Sequence, residues 1–247
     1  HAFSSPAFQA DWALDDGFYY CLTCHSPLLE QQPELVSGIQ AIRRHKVRSE
    51  PNPVFDAALQ QEGVTCLACH LTDAGLAGPH QVEAPHETIH QPDFAGAQRC
   101  EGCHQLQAPP VHWLDRPISD THGEWERWKQ QTGRTESCVD CHMPAVTRAS
   151  VPGFPERAGR RHTFPGTRDP ELMRGAVSLD GALDPPRLVL RLTNEAGHNL
   201  PSTDPANELE VRVQVRDAQG TVLQSLSQTL RRRIEGNRER EDSTLRP

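Results

Sequence analysis

The sequence predicts a mostly irregular and α-helical domain over residues 1–150, followed by a small antiparallel β domain, sandwich-like and incomplete in outline, over 151–247. Three observations carry that expectation. Every cysteine of the 247-residue chain falls in one of four copies of a five-residue motif. Only 36% of the residues are hydrophobic, beside 21 prolines and 17 glycines, too few apolar side chains for a conventional core along the whole length. From Pro152 onward the cysteines stop, and apolar and polar residues begin to alternate with the period of a β-strand.

The motif reads Cys21-Leu22-Thr23-Cys24-His25, Cys66-Leu67-Ala68-Cys69-His70, Cys100-Glu101-Gly102-Cys103-His104 and Cys138-Val139-Asp140-Cys141-His142. C-x-x-C-H is the attachment signature of c-type haem. Two thiols add to the vinyl groups, and the adjacent imidazole is then held under the iron. A zinc knuckle or a thioredoxin-type redox pair also uses C-x-x-C, but neither asks for His directly after the second Cys, and here it follows four times. The expectation is therefore four haem c groups on Cys21, Cys24, Cys66, Cys69, Cys100, Cys103, Cys138 and Cys141, with iron-bound His25, His70, His104 and His142. Each porphyrin brings a large apolar face, so the first domain is expected to be haem-cored and largely unfolded without its cofactors.

No apolar run is long enough to span a bilayer as a helix. No signal peptide is visible, yet haem c is attached outside the cytoplasm. The expected chain is thus exported, with a leader removed before His1, to the periplasm or the cell surface. The formal charge of −8 becomes more negative once propionates are added, which excludes nucleic acid as a natural partner.

Element by element, residues 1–20 have no regular period. Pro33-Glu34-Leu35 opens a predicted helix whose stripe is Leu35, Ile39 and Ile42, continued by His45. After Pro51-Asn52-Pro53 a short helix carrying Phe55 and Leu59 runs to Gly63. His86-Glu87-Thr88-Ile89-His90 has the spacing of a zinc-protease helix, but Pro85 and Pro92 leave it less than two turns, and haem ligation is the better reading. A helix near Gly123–Trp128 ends at Gly133, with Trp125 and Trp128 on one face, where porphyrin is the simplest packing partner. His122 at its start reads equally as a capping residue or a ligand. Leu188, Leu190 and Leu192 then alternate along one strand, and Leu209, Val211, Val213 and Val215 along another. Asp217-Ala218-Gln219-Gly220 turns the second strand back into Thr221-Val222-Leu223, and the charged tail from Arg231 offers no closing strand.

The sixth iron position decides the chemistry, and methionine is nearly absent: Met143 directly follows a proximal His, leaving Met173. Nine histidines remain after the four proximal ones, which favours bis-His ligation. From about Cys21 to Gly220 the chain resembles the multihaem c-type cytochromes related to cytochrome c554. The likeness is carried by Glu62-Gly63-Val64-Thr65-Cys66, Ala84-Pro85-His86, Glu124-Trp125, Cys141-His142-Met143-Pro144, Arg161-His162-Thr163-Phe164-Pro165-Gly166 and Thr193–Pro201 with its Gly197-His198-Asn199 turn. The resemblance implies His45, His86, His162 and His198 as distal ligands, one per haem. His80, His90, His112 and His122 are the alternatives. Arg157, Arg160 and Arg161 beside His162 suit propionate pairing.

Motifs spaced about 35 to 45 residues apart leave little polypeptide to insulate one porphyrin from the next, which points to an electron carrier rather than an enzyme. Its expected partners are redox proteins or extracellular acceptors. An enzyme with one five-coordinate haem, reducing a small nitrogen or sulfur compound, is the alternative. The unfinished β domain also suggests a head-to-tail homo-oligomer that grows into a filament.

Overall fold

The structure is a computed structural model that describes residues 3–14, 19–41, 46–82, 84–107, 116–149, 152–235 and 238–247. The chain divides into two compact units, residues 1–103 with 108–113, and residues 104–107 with 114–247. The change of composition near residue 150 lies inside the second unit. Its earlier and later parts are joined there by Arg232, which donates to the carbonyls of Pro117 and Ile118 at 2.7 and 2.8 Å, and by Arg116, paired with Asp242 at 2.7 Å.

In the first unit α1 (Pro6–Leu14) and α2 (Tyr19–His25) precede the hairpin β1 (Glu34–Ala41) and β2 (Lys46–Pro51). Next come α3 (Ala57–Glu62), α4 (Leu67–His70), and a small sheet of β3 (Leu71–Thr72), β4 (Gly75–Gly78) and β5 (Ile89–His90), closed by α5 (Gln98–His104). α3 starts where Asp56 accepts the N–H groups of Ala58 and Leu59 at 2.8 and 3.0 Å. It stops at Gly63, whose φ of 62° and close approach to Phe3 suit only glycine.

The helix expected from Pro33 is instead β1. The registers Val36↔Ser49, Gly38↔Arg48, Ile39↔Val47 and Ala41↔Lys46 skip one residue twice. Residues four apart share a face in a strand of period two as well as on a helix, so the Leu35–Ile39 spacing by itself suits either element. Gly38, unfavourable in a helix, and the β-branched Val36, Ile39 and Val47 weigh towards the strand. Ile42 and His45, the end of the expected stripe, lie outside the described residues.

The second unit holds α6 (Thr121–Thr132), α7 (Cys138–His142), the hairpin β6 (Ala145–Ala149) and β7 (Glu156–Arg160), α8 (Pro170–Ala176), the hairpin β8 (Val177–Asp184) and β9 (Arg187–Asn194), and a sheet of β10 (Glu208–Arg216), β11 (Val222–Glu235) and β12 (Arg238–Asp242). α6 ends at Gly133 in the left-handed region, and Asp169 caps α8 through the N–H groups of Glu171 and Leu172. Between β10 and β11 the Asp217 carboxylate accepts the N–H groups of Gln219 and Thr221, and Gly220 takes φ 85°.

The charged tail expected to end without a strand does form one. β12 pairs with β11 through Arg232↔Asp242, Arg233↔Glu241 and Glu235↔Arg238. Arg231 bonds Glu241 at 3.0 Å and Arg232 bonds Glu239 at 2.6 Å, so opposite charges across the ladder replace the apolar contacts a strand usually offers. Leu245 then exchanges both backbone bonds with Leu200.

Buried apolar side chains are few among the described residues, and several sit at the cysteine motifs: Leu22 and Val139 are motif residues, Ala97 immediately precedes α5, and Phe94 stacks on the His70 ring. Among the described residues no helix is long and apolar enough to cross a membrane.

Candidate haem-attachment sites

All four motifs end short helices: α2 at His25, α4 at His70, α5 at His104 and α7 at His142. On a helix, residues i, i+3 and i+4 share a face, so each motif turns two thiols and one imidazole the same way. Two buttresses fix α7. The N–H of Ser137 donates to Asp140 at 2.9 Å, and Arg160 binds the carbonyls of Val139 and Met143 and the Asp140 carboxylate at the far end. Arg160 is therefore committed to this helix rather than to a propionate. The eight thiols are free of disulfides.

Thiols of different motifs meet in the first unit. Cys24 and Cys103 share a hydrogen bond; it draws Cys24 down to about 6 against the effect of burial, and together with burial pushes Cys103 up. Cys69 and Cys100 also act on Cys103, so sulfurs of the first, second and third motifs lie within electrostatic reach of one another.

The imidazoles are prepared as ligands. His70 Nδ1 lies 2.8 Å from the carbonyl of Ala77 in β4, and His142 Nδ1 lies 2.7 Å from that of Pro165. A carbonyl can only accept, so each Nδ1 carries the proton and Nε2 keeps the lone pair that a metal needs. The His70 ring stacks on Phe94 at 4.7 Å, and the His25 ring on Phe8 at 3.9 Å. His104 keeps an open face, yet the surrounding protein holds its pKa below the ordinary value, helped by His142 and His198 nearby.

Among the described residues, His198 is an expected distal residue brought to a motif imidazole. Its Nδ1 donates to the Asn199 carbonyl at 2.8 Å, again leaving Nε2. The centroids of His142 and His198 are 6.2 Å apart with planes 17° from parallel. Two imidazoles bound to one metal at ~2 Å per bond, with ~1 Å more to each centroid, have centroids ~6 Å apart. Burial lowers the His198 pKa further, consistent with a neutral ring. His86 and His162 are exposed; their Nδ1 atoms donate to the carbonyls of Glu87 at 3.2 Å and Arg160 at 2.9 Å. His80 and His90 are exposed, the latter in β5, and no helix spans residues 86–90. His45 and His112 lie outside the described residues.

Residues that the sequence offered only as carriers of the resemblance, with no role at a site, hold the His198 turn in place. The buried Glu124 carboxylate accepts the Asn199 N–H at 3.1 Å and the Ser202 hydroxyl at 2.7 Å. Asn194, also buried, donates to the carbonyls of His198 and Leu245 at 2.8 Å each. Gly197 lies against Trp128 and Trp125, where a Cβ would meet the Trp128 ring at 3.3 Å. Those two tryptophans, expected to face porphyrin, thus pack on the turn. Lys129 lies over Trp125 and Arg134 over Trp128.

The residues fit haem c: paired thiols one helical turn apart, an adjoining imidazole, and one ring pair at coordination spacing. The chain is similar in fold to a solved penta-haem cytochrome c552 from Thermochromatium tepidum, with a TM-score of 0.67 at 18% identity over 100% of this chain and 78% of that one. No family model and no curated protein matches the chain.

Proposed function

We propose that the chain is a tetrahaem c-type cytochrome of the c554-related kind, exported from the cytoplasm, that carries electrons through four bis-His haems held side by side. The haems supply one-electron chemistry at iron; the polypeptide attaches them, fixes both axial imidazoles and sets the spacing. The observation that carries this reading is the meeting of attachment groups from different motifs. Cys24 and Cys103 share a hydrogen bond, and His104 lies within electrostatic reach of the His142–His198 pair. Haems held by these cysteines and histidines would supply one-electron chemistry at neighbouring sites.

Intact mass of the holoprotein tests the count, with four haem increments expected on the eight cysteines. Ferric spectra test the ligation, with all iron low-spin. A high-spin component that shifts with added nitrite or sulfite would favour the reductase reading instead. Head-to-tail assembly belongs to the same proposal. It is supported by an outward ladder on β8 and β9, where Leu179 faces Leu192 and Leu183 faces Leu188, and Leu183 is 74% exposed. Sedimentation decides it: a protein that stays monomeric at micromolar concentration is not a filament subunit.

A further inference from the structure

His122, the second residue of α6, is 8% exposed, and its Nε2 has no hydrogen-bond partner. A buried nitrogen left unanswered costs stability, and folds keep such atoms where something else occupies them. The carboxylates on either side are already engaged. Asp120 accepts from Gln105 at 2.9 Å and from Arg127 at 2.7 Å, and Glu124 holds Asn199 and Ser202. The Trp125 ring, 5.3 Å from that of His122, can offer its indole N–H to nothing here, because the Glu136 carbonyl accepts it at 2.9 Å.

The residues around His122 are tied to the chain just after His104. The side-chain carbonyl of Gln105 accepts the Gly123 N–H at 2.9 Å, while its amide donates to Asp120. Leu106 and Ser119 exchange backbone bonds at 2.8 and 3.2 Å. Packing at this join is close, for a Cβ on Gly123 would lie 2.6 Å from the Asp120 carboxylate. His122 is thereby anchored from both sides to the segment that carries the third proximal imidazole.

The second unit contains two proximal histidines, His104 and His142, and His142 has His198 at coordination spacing. That leaves His122 and His162 as the unit's other histidines. His162 is exposed and follows β7, whose partner strand continues from α7 and His142. We propose that His122 is the sixth ligand of the iron bound by His104. The inference rests on the tetrahaem reading and replaces one of the distal residues that the family resemblance implies.

Two holoprotein variants test it, His122→Phe and His122→Met, each with haem counted by intact mass and iron examined by electron paramagnetic resonance and visible spectroscopy. Four haems are expected in both. In His122→Phe one haem in four becomes high-spin; in His122→Met that haem stays low-spin, gains a sulfur-to-iron charge-transfer band, and rises in midpoint potential. Four low-spin haems in His122→Phe would make His122 a packing residue and overturn the proposal. If that variant loses haem, the Met variant decides alone, and absence of the sulfur band overturns it. In a Cys100→Ala/Cys103→Ala background, which lacks the third haem, His122→Phe should convert no further iron; a conversion there would assign His122 to another haem and likewise overturn the proposal. Fewer than four haems in the unmutated protein would instead sink the tetrahaem reading itself.

Discussion

The carboxylate of Glu124 on α6 accepts the backbone N–H of Asn199 at 3.1 Å, and so fixes the residue directly after His198. The same oxygen accepts the Ser202 hydroxyl at 2.7 Å, which makes this buried acid the clamp of the whole turn. Because the clamp lies on a helix and His198 on a strand connection, the geometry at His142 depends on contacts between segments far apart in sequence.

Glu124→Ala removes the acceptor and leaves two donors unmet in a buried place. The expected cost is about 2 to 4 kcal/mol, taking one to two kcal/mol for each orphaned group. Chemical denaturation of the holoprotein measures it. A loss below about 0.5 kcal/mol would show that the turn stands without Glu124.

Gly197→Ala places a methyl group 3.3 Å from the Trp128 ring and 3.5 Å from Trp125. Overpacking against a buried aromatic costs about 1 to 3 kcal/mol, and here the strain falls next to His198. A high-spin fraction should appear in one haem, whereas Gly159→Ala, with open space around the glycine, should leave the spectrum alone. Equal spectra for the two variants would argue against the close packing.

His198→Ala should turn the fourth haem high-spin at neutral pH and leave the other three unchanged. Imidazole added in solution should restore the low-spin form by filling the vacated position. An unaltered low-spin spectrum would remove His198 as the partner of His142.

Acid should weaken the second unit through its paired carboxylates. The Ser137 N–H and then Arg160 hold Asp140 below its ordinary value of 3.8; for Asp242, burial pushes upward but Thr244 and Arg116 prevail and lower it. A carboxyl depressed on folding contributes stability that is complete above its unfolded pKa and disappears as pH falls through the folded one. The loss is therefore confined to pH below about 4. Asp242→Asn should flatten the acid limb of a plot of stability against pH; a limb of unchanged slope would mean that other carboxylates govern it.

Much of the local structure was legible because its causes lie within a few residues. The spacing Cys, Cys+3, His+4 is itself the geometry of one helical turn. Gly63 and Gly133 end helices by their φ, and Asp217–Gly220 forms its turn from its own hydrogen bonds. Alternation along Leu209–Val215 needs only the pleat. The segment after Pro33 misled because an apolar spacing of four suits a strand as well as a helix, and only pairing with β2 decides between them. The tail misled because its partners, Arg231 and Arg232 against Glu241 and Glu239, are attractive only once β11 and β12 lie side by side.

By itself the sequence determined where the four C-x-x-C-H motifs lie and which thiols and imidazole each one groups together, since each motif is five consecutive residues. Tertiary structure alone decided which distant histidine lies beside a motif imidazole. It brought His198 to within 6.2 Å of His142 and buried His122 with Nε2 unpartnered. The physical reason is that a sixth ligand is a contact between segments far apart in the chain. It is fixed by Glu124, Asn194, Gly197 and Gln105, whose roles exist only when helix α6 and the strand connections pack together.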